Sequence, residues 1–193
     1  MVCTAPNQLK AVFDEARGLN GLAAAVGFIN AQQGGLIQGM LAPDRVETCT
    51  EALLRRTDDA ARDLGCKIRL HMAQGEMEVA TVRRLHGTTA PDWLAGLGLL
   101  SDRMLAPHAT NATDADLDHY AQNGVSVIHC PLVSARFGSV LRSFRSLKER
   151  GITIAMGTDT APADMLMNLM VGLLTARIAD GDAAAVRSSD LWD

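Results

Sequence analysis

Two textures of apolar residues alternate along this chain. Short apolar runs predict strands, and longer stretches with apolar residues three and four apart predict helices. Residues 8–25 have the helical texture, with Leu9, Val12, Phe13, Ala16 and Leu19 in register, and Gly34-Gly35 breaks it. Residues 36–41 read as a strand closed by Ala42-Pro43. Asp44 is placed to cap a helix running to Leu64, with Val46, Cys49, Leu53, Leu54, Ala60, Ala61 and Leu64 on its apolar face and Gly65 at its end. Further strands are expected at 67–71, 104–106, 125–128 and 152–156. Between them the pattern predicts helices over 74–86, from Pro91, from Thr113 to Gly124, and over 140–150. Thr113-x-x-Asp116 is a capping-box start, and Gly151 a helix stop. Pro162 suits a first helical turn and opens a helix to about Ile178, and the tail 183–193 begins one more helix.

A helix followed by five strand–helix units argues for an α/β fold, a parallel sheet with covering helices. Two architectures satisfy that order, a partial barrel and an open doubly wound sheet. The chain starts on a helix and ends without a closing strand, which favours a partial TIM-type (β/α) barrel. Its 193 residues suit a single domain, 1–193, whereas a complete eight-unit barrel takes about 250 residues. A truncated barrel leaves two bare edges, at 36–41 and 152–156. Bare edges pair with other chains, so a homo-oligomer is expected.

Composition narrows the classes. The chain is 48% hydrophobic and 21% charged, enough for a buried core. A net charge of −4 leaves no electrostatic footprint for nucleic acid. No apolar stretch reaches the roughly 18 residues that a membrane span needs, and no signal-peptide pattern opens the chain. Cys3, Cys49, Cys66 and Cys130 form no C-x-x-C pair, as expected of reduced thiols in a cytoplasmic protein.

The candidate chemistry sits where predicted strands end. His71, His108, His129 and Asp159 each end, or directly follow, an apolar run. Polar groups at the C-terminal ends of parallel strands are how a β/α barrel builds an active site. Imidazole and carboxylate are ligand types of catalytic zinc. His71 can offer a ring nitrogen to a metal, or be a core histidine bonded to backbone. His108, after Ala106-Pro107, can bind substrate, shuttle protons or ligate metal. His129, before Cys130-Pro131, can face the site or be structural. Asp159, in Gly157-Thr-Asp-Thr160, can ligate metal and accept a proton from the attacking water, or cap a helix. Gln74, three residues after His71, stands where metal hydrolases often carry a proton-shuttling glutamate. An amide there orients by hydrogen bonding and moves no proton. Glu76 and Glu78 read as solvated helix charges, and His86 and His119 as surface residues of helices. No G-x-S-x-G elbow, Walker A sequence or G-x-G-x-x-G loop occurs.

His71-Met-Ala-Gln74, residues 93–100, Ala106-Pro-His108, residues 125–131 and Gly157-Thr-Asp159 together resemble the amidohydrolase superfamily. The likeness is to its chlorohydrolase and aminohydrolase branch, which includes triazine hydrolases and cytosine, guanine and adenosine-type deaminases. It covers the chain from Gly39 onward. The resemblance implies a β/α barrel with one divalent metal, zinc or iron, activating water. It makes His71 and Asp159 metal ligands, Asp159 also the base, and His108 a contact for a small-molecule substrate or the attacking water; His129, by its strand-end position, is a further candidate substrate contact. Two departures stand out. Gln74 replaces the acid that deaminases of this kind use to protonate the leaving group. The His-x-His pair of the family's first strand occurs nowhere in the chain. The chain thus resembles the second half of a family barrel. The expected function is metal-dependent hydrolysis of a C–N or C–Cl bond in a small heterocycle. The competing expectations are a non-catalytic half barrel and, on the open-sheet architecture, a nucleotide-binding sheet.

Overall fold

The computed structural model describes residues 14–32 and 34–192. Cys3 and the predicted helical residues 8–13 lie outside them. Helix α1 (Glu15–Ala31) is followed by five parallel strands, β1 (Leu41–Arg45), β2 (Ile68–His71), β3 (Met104–Pro107), β4 (Ser126–His129) and β5 (Ile154–Met156). Each strand hydrogen-bonds only to its neighbours in sequence, in the order β1-β2-β3-β4-β5. A doubly wound sheet needs a reversal of strand order to cover both faces. No reversal occurs here, so this is a segment of a β/α barrel.

Helices α2 (Glu51–Leu64), α3 (Glu76–His86), α4 (Ala90–Gly96), α5 (Asp114–Asn123), α6 (Pro131–Arg136), α7 (Phe144–Glu149) and α8 (Met165–Asp180) fill the connections. Burial alternates along the strands as a one-sided sheet requires. Leu70, Met104, Ala106 and Val127 are buried in the main core with the helices, and Ile68 in a smaller cluster with Leu41, Ala61 and Ile29. Arg69 and Ala155, of opposite parity, are exposed, and Leu105 and Ile128 half-buried. In a complete barrel that second face fills the interior. Here it is open.

Local chemistry accounts for most boundaries. Thr50, Thr89, Thr113, Ser143 and Asp164 cap helix N-termini with side-chain oxygens. Thr113 and Asp116 form the full capping box at α5. Left-handed Gly65, Gly87, Gly124 and Gly181 end α2, α3, α5 and α8.

The structure corrects several expectations. The first strand lies at Leu41–Arg45 rather than 36–41, and Leu36 and Ile37 are exposed. β1 runs through Pro43, because an edge strand tolerates a missing N–H, and its pairing with β2 slips between Leu41 and Asp44. Asp44 is therefore a strand residue and Thr50 is the cap of α2. The predicted helix over 140–150 is only α7, because Ser143 caps it late. Pro131 opens α6, a helix that periodicity did not predict. α8 starts at Met165, capped by Asp164, so Pro162 lies outside it. The tail forms only a 3-10 turn, Ser188–Leu191.

Candidate metal centre

Among the described residues five non-glycines have positive φ: Asp44, Ala73, His108, Ala109 and Asp159. All sit at or just beyond the C-terminal ends of β1, β2, β3 and β5. Such backbone costs on the order of 1–3 kcal/mol per residue, and strain of this kind clusters at functional sites.

His71 ends β2. Its Nδ1 lies 2.6 Å from the backbone oxygen of Asp44, which fixes the ring and leaves Nε2 for another partner. Metal-binding histidines are oriented in this way. The His71 ring stacks on that of His108, centroids 5.5 Å apart. His108 follows β3, its backbone N–H donating to Ile128 at 2.8 Å. It is 2% exposed, and burial pushes its pKa down to about 4 despite the Asp159 charge. The ring is therefore neutral at physiological pH.

Asp159 lies beyond β5, its Oδ2 3.3 Å from His108 Nε2. That nitrogen is buried and makes no hydrogen bond. A close approach without a shared hydrogen bond is what two ligands of one cation would show. Ligands about 2.0–2.2 Å from a tetrahedral zinc stand about 3.4 Å apart, close to the observed separation. The donors present thus fit a divalent ion. Cys130 joins them: a ligand atom each from His108, Cys130 and Asp159 lie within 4.8 Å of one another. His71 lies outside this tighter cluster. Cys130 is buried, which pushes its thiol pKa up to about 12.

The remaining expected site residues are placed as follows. Gln74 Oε1 accepts from Arg45 Nη1 at 2.8 Å. Its backbone carbonyl accepts from Thr110 Oγ1 and Asn111 Nδ2 at 2.5 and 2.9 Å, tying the loops after β2 and β3 together. His129 shares the parity of Val127, is 2% exposed, and packs beside Phe144 with its Nδ1 unpartnered. Burial lowers its pKa to about 4. It lies close enough to His108 to feel its charge, and it is buried rather than presented on the open face. His86 stacks on Trp93 and His119 meets Asp92 at 3.1 Å.

Three contributors escaped the sequence analysis. Glu78 is 2% exposed, not a solvated charge. Its Oε2 accepts from Gln74 N–H at 2.6 Å, and burial raises its pKa to about 7. Asn168, fully buried on α8, donates from Nδ2 to the Gly157 carbonyl at 2.9 Å and accepts from Leu132 N–H at 3.2 Å. It clamps the end of β5, close to Asp159, to the first turn of α6. A lone amide in the apolar run of α8 was its only signal. Cys130 carried none, because a thiol beside a histidine looks like any core cysteine.

The amidohydrolase family matches residues 8–191. This chain belongs to the amidohydrolase family. It is 31% identical over 161 residues to a 5'-deoxyadenosine deaminase of Methanopyrus kandleri, covering 81% of this chain and 37% of that protein. It is 33% identical over 138 residues to a 5-methylthioadenosine/S-adenosylhomocysteine deaminase of Nitratidesulfovibrio vulgaris, covering 72% of this chain and 31% of that one. A zinc-bound adenosine deaminase structure from Xanthomonas campestris superposes with a TM-score of 0.82 and 27% identity, over 87% of this chain and 39% of its own. A zinc complex of an atrazine chlorohydrolase from Arthrobacter aurescens has a TM-score of 0.78 at 22% identity, over 85% and 38%, and shows the fold alone. The chain spans well under half the length of these relatives. Among the described residues no helix is long and apolar enough to cross a membrane.

Proposed function

We propose that this chain carries the chemistry of a metal-dependent hydrolase that cleaves a C–N or C–Cl bond in a small heterocyclic substrate. The observation that carries this is the buried, unpartnered His108 Nε2 facing the Asp159 carboxylate at 3.3 Å. The donor set of imidazole and carboxylate suits zinc, and iron accepts it too. His71, His108 and Asp159 would hold the ion. Zinc held there would supply a water of pKa about 7 and would polarise the target.

The chain's own residues then divide the work. Asp159 accepts the proton of the attacking water. His108, neutral and buried, would keep its Nε2 on the ion, and His129 lies close enough to His108 to feel its charge. Gln74, its oxygen engaged by Arg45, offers its amide N–H groups to the substrate. It cannot protonate a leaving amine, so that proton must come from Asp159. Chloride leaves without one, which is why C–Cl cleavage stands beside the deamination named for the relatives.

Supplying zinc and a panel of chlorinated and aminated heterocycles, 5'-deoxyadenosine included, tests this. Chloride or ammonia release should fall by roughly 10²–10⁴-fold in Asp159→Asn, the range of a lost acid–base group, and persist in His119→Ala. Release unchanged in Asp159→Asn would refute the assignment. Gln74, which moves no proton, favours a second reading, a non-catalytic assembly unit. It predicts no release with any substrate and metal-independent oligomers. Self-association through the sheet edges at β1 and β5 is part of our proposal under either reading.

A further inference from the structure

Hydrogen bonds hold Gln74 from three elements. Its backbone N–H donates to Glu78 Oε2 at 2.6 Å, and its carbonyl accepts from Thr110 Oγ1 and Asn111 Nδ2. Its side-chain oxygen accepts from Arg45 Nη1 at 2.8 Å. Among the described residues only its side-chain N–H groups have no partner. Arg45 is itself fixed. It ends β1 opposite His71 in the sheet register, and its Nε donates to Glu47 Oε1 at 2.6 Å. We propose that Arg45 sets the leaving-group preference of the site: by pinning the Gln74 amide it leaves only N–H donors to the substrate, which favours a departing halide over a departing amine.

The chemistry of the pair supports this. A guanidinium has donors only, so the amide oxygen must face Arg45 and the amide nitrogen must face away. Turning the amide over would set N–H against N–H and break the 2.8 Å bond. A cation on the oxygen also polarises the amide, which strengthens its N–H groups as donors. A ring chlorine gathers negative charge as it departs and accepts from them. An exocyclic amine brings N–H groups of its own to a donor that cannot turn. In the favoured reaction the water oxygen bonds to the ring carbon and its proton passes to Asp159. The C–Cl bond breaks with its electron pair on chloride, so no acid is needed at residue 74.

The inference rests on the metal-hydrolase reading and names the leaving group for it. It also has a consequence for Gln74→Glu. With Arg45 in place the new carboxylate stays ionised and remains a poor proton donor. Gain of ammonia release needs Arg45→Met as well.

Matched substrates test this on the full chain supplied with zinc: 5'-deoxyadenosine and its chloropurine analogue, and an amino- and a chlorotriazine alike in their other substituents. The NMR relaxation of the Gln74 side-chain amide, assigned by its loss in Gln74→Glu, is read without turnover. Chloride release should exceed ammonia release by about tenfold or more, the worth of one hydrogen bond to a charged group. Arg45→Met should remove that excess and free the amide to move, and Arg45→Lys should restore part of both. An excess unchanged in Arg45→Met, or ammonia release gained by Gln74→Glu alone, overturns the inference and leaves the metal-hydrolase reading standing. Release from none of the substrates overturns both. A mobile Gln74 amide in the wild type overturns the pinning even if a variant fails to fold.

Discussion

His108 and His129 titrate in the folded chain near pH 4, against 6.5 when exposed, because burial disfavours the imidazolium. Between those values the unfolded chain binds more protons, so stability rises with pH across the window and is lost as pH falls through it. Each histidine contributes up to about 3 kcal/mol on this account. Glu78 acts oppositely. Burial raises its pKa from 4.5 to about 7, so the folded chain binds the extra proton and stability declines as pH rises through that interval. Urea midpoints measured across pH should therefore show Glu78→Gln more stable than the wild type above neutrality, by about 1–3 kcal/mol. His129→Gln should roughly halve the loss of stability in acid. A Glu78→Gln variant that tracks the wild type at all pH values would show that Glu78 is not held as a buried acid.

At the scale of elements, the strand ends are held by polar clamps. Asn168 joins the first turn of α6 to the end of β5 with two hydrogen bonds from a fully buried amide. Asn168→Ala leaves the Leu132 N–H and the Gly157 carbonyl unpaired. The expected cost is about 2–4 kcal/mol in a denaturant midpoint, with weaker metal binding because Asp159 loses its support. A smaller cap, Thr113→Ala at α5, should cost about 1 kcal/mol and leave metal binding unchanged. These elements also show how far the sequence could be read. The C-terminal ends of the helices closed by Gly65 and Gly124 were legible because glycine and periodicity agreed, and at α5 the Thr113 cap agreed too. β1 was not: Pro43 looked like a stop, and only its edge position lets the strand pass through it. α6 was hidden because six residues are too few to display a helical period. His71, His108 and Asp159 could be marked by position, but that His108 and Asp159 meet at 3.3 Å, with Cys130 among them, depends on the order of the strands.

At the scale of the whole molecule, the five-stranded sheet is covered on one face and open on the other, with edges at β1 and β5. Leu166, Met170, Leu174 and Ile178 form an exposed apolar stripe on α8, one turn apart. A sheet edge and an apolar stripe on one molecule favour self-association. Light scattering should give a mass above that of one chain, increasing with concentration. Leu174→Lys should lower it, whereas a strict monomer at all concentrations would contradict the oligomer.

On the reading proposed above, the ends of β2, β3 and β5 hold a metal. The most direct test of that reading is the metal content per chain after purification without chelators. About one equivalent of zinc or iron, reduced in His108→Ala and Asp159→Ala but not in His119→Ala, is the predicted result. No metal, even after zinc is added to the folded chain, would contradict it.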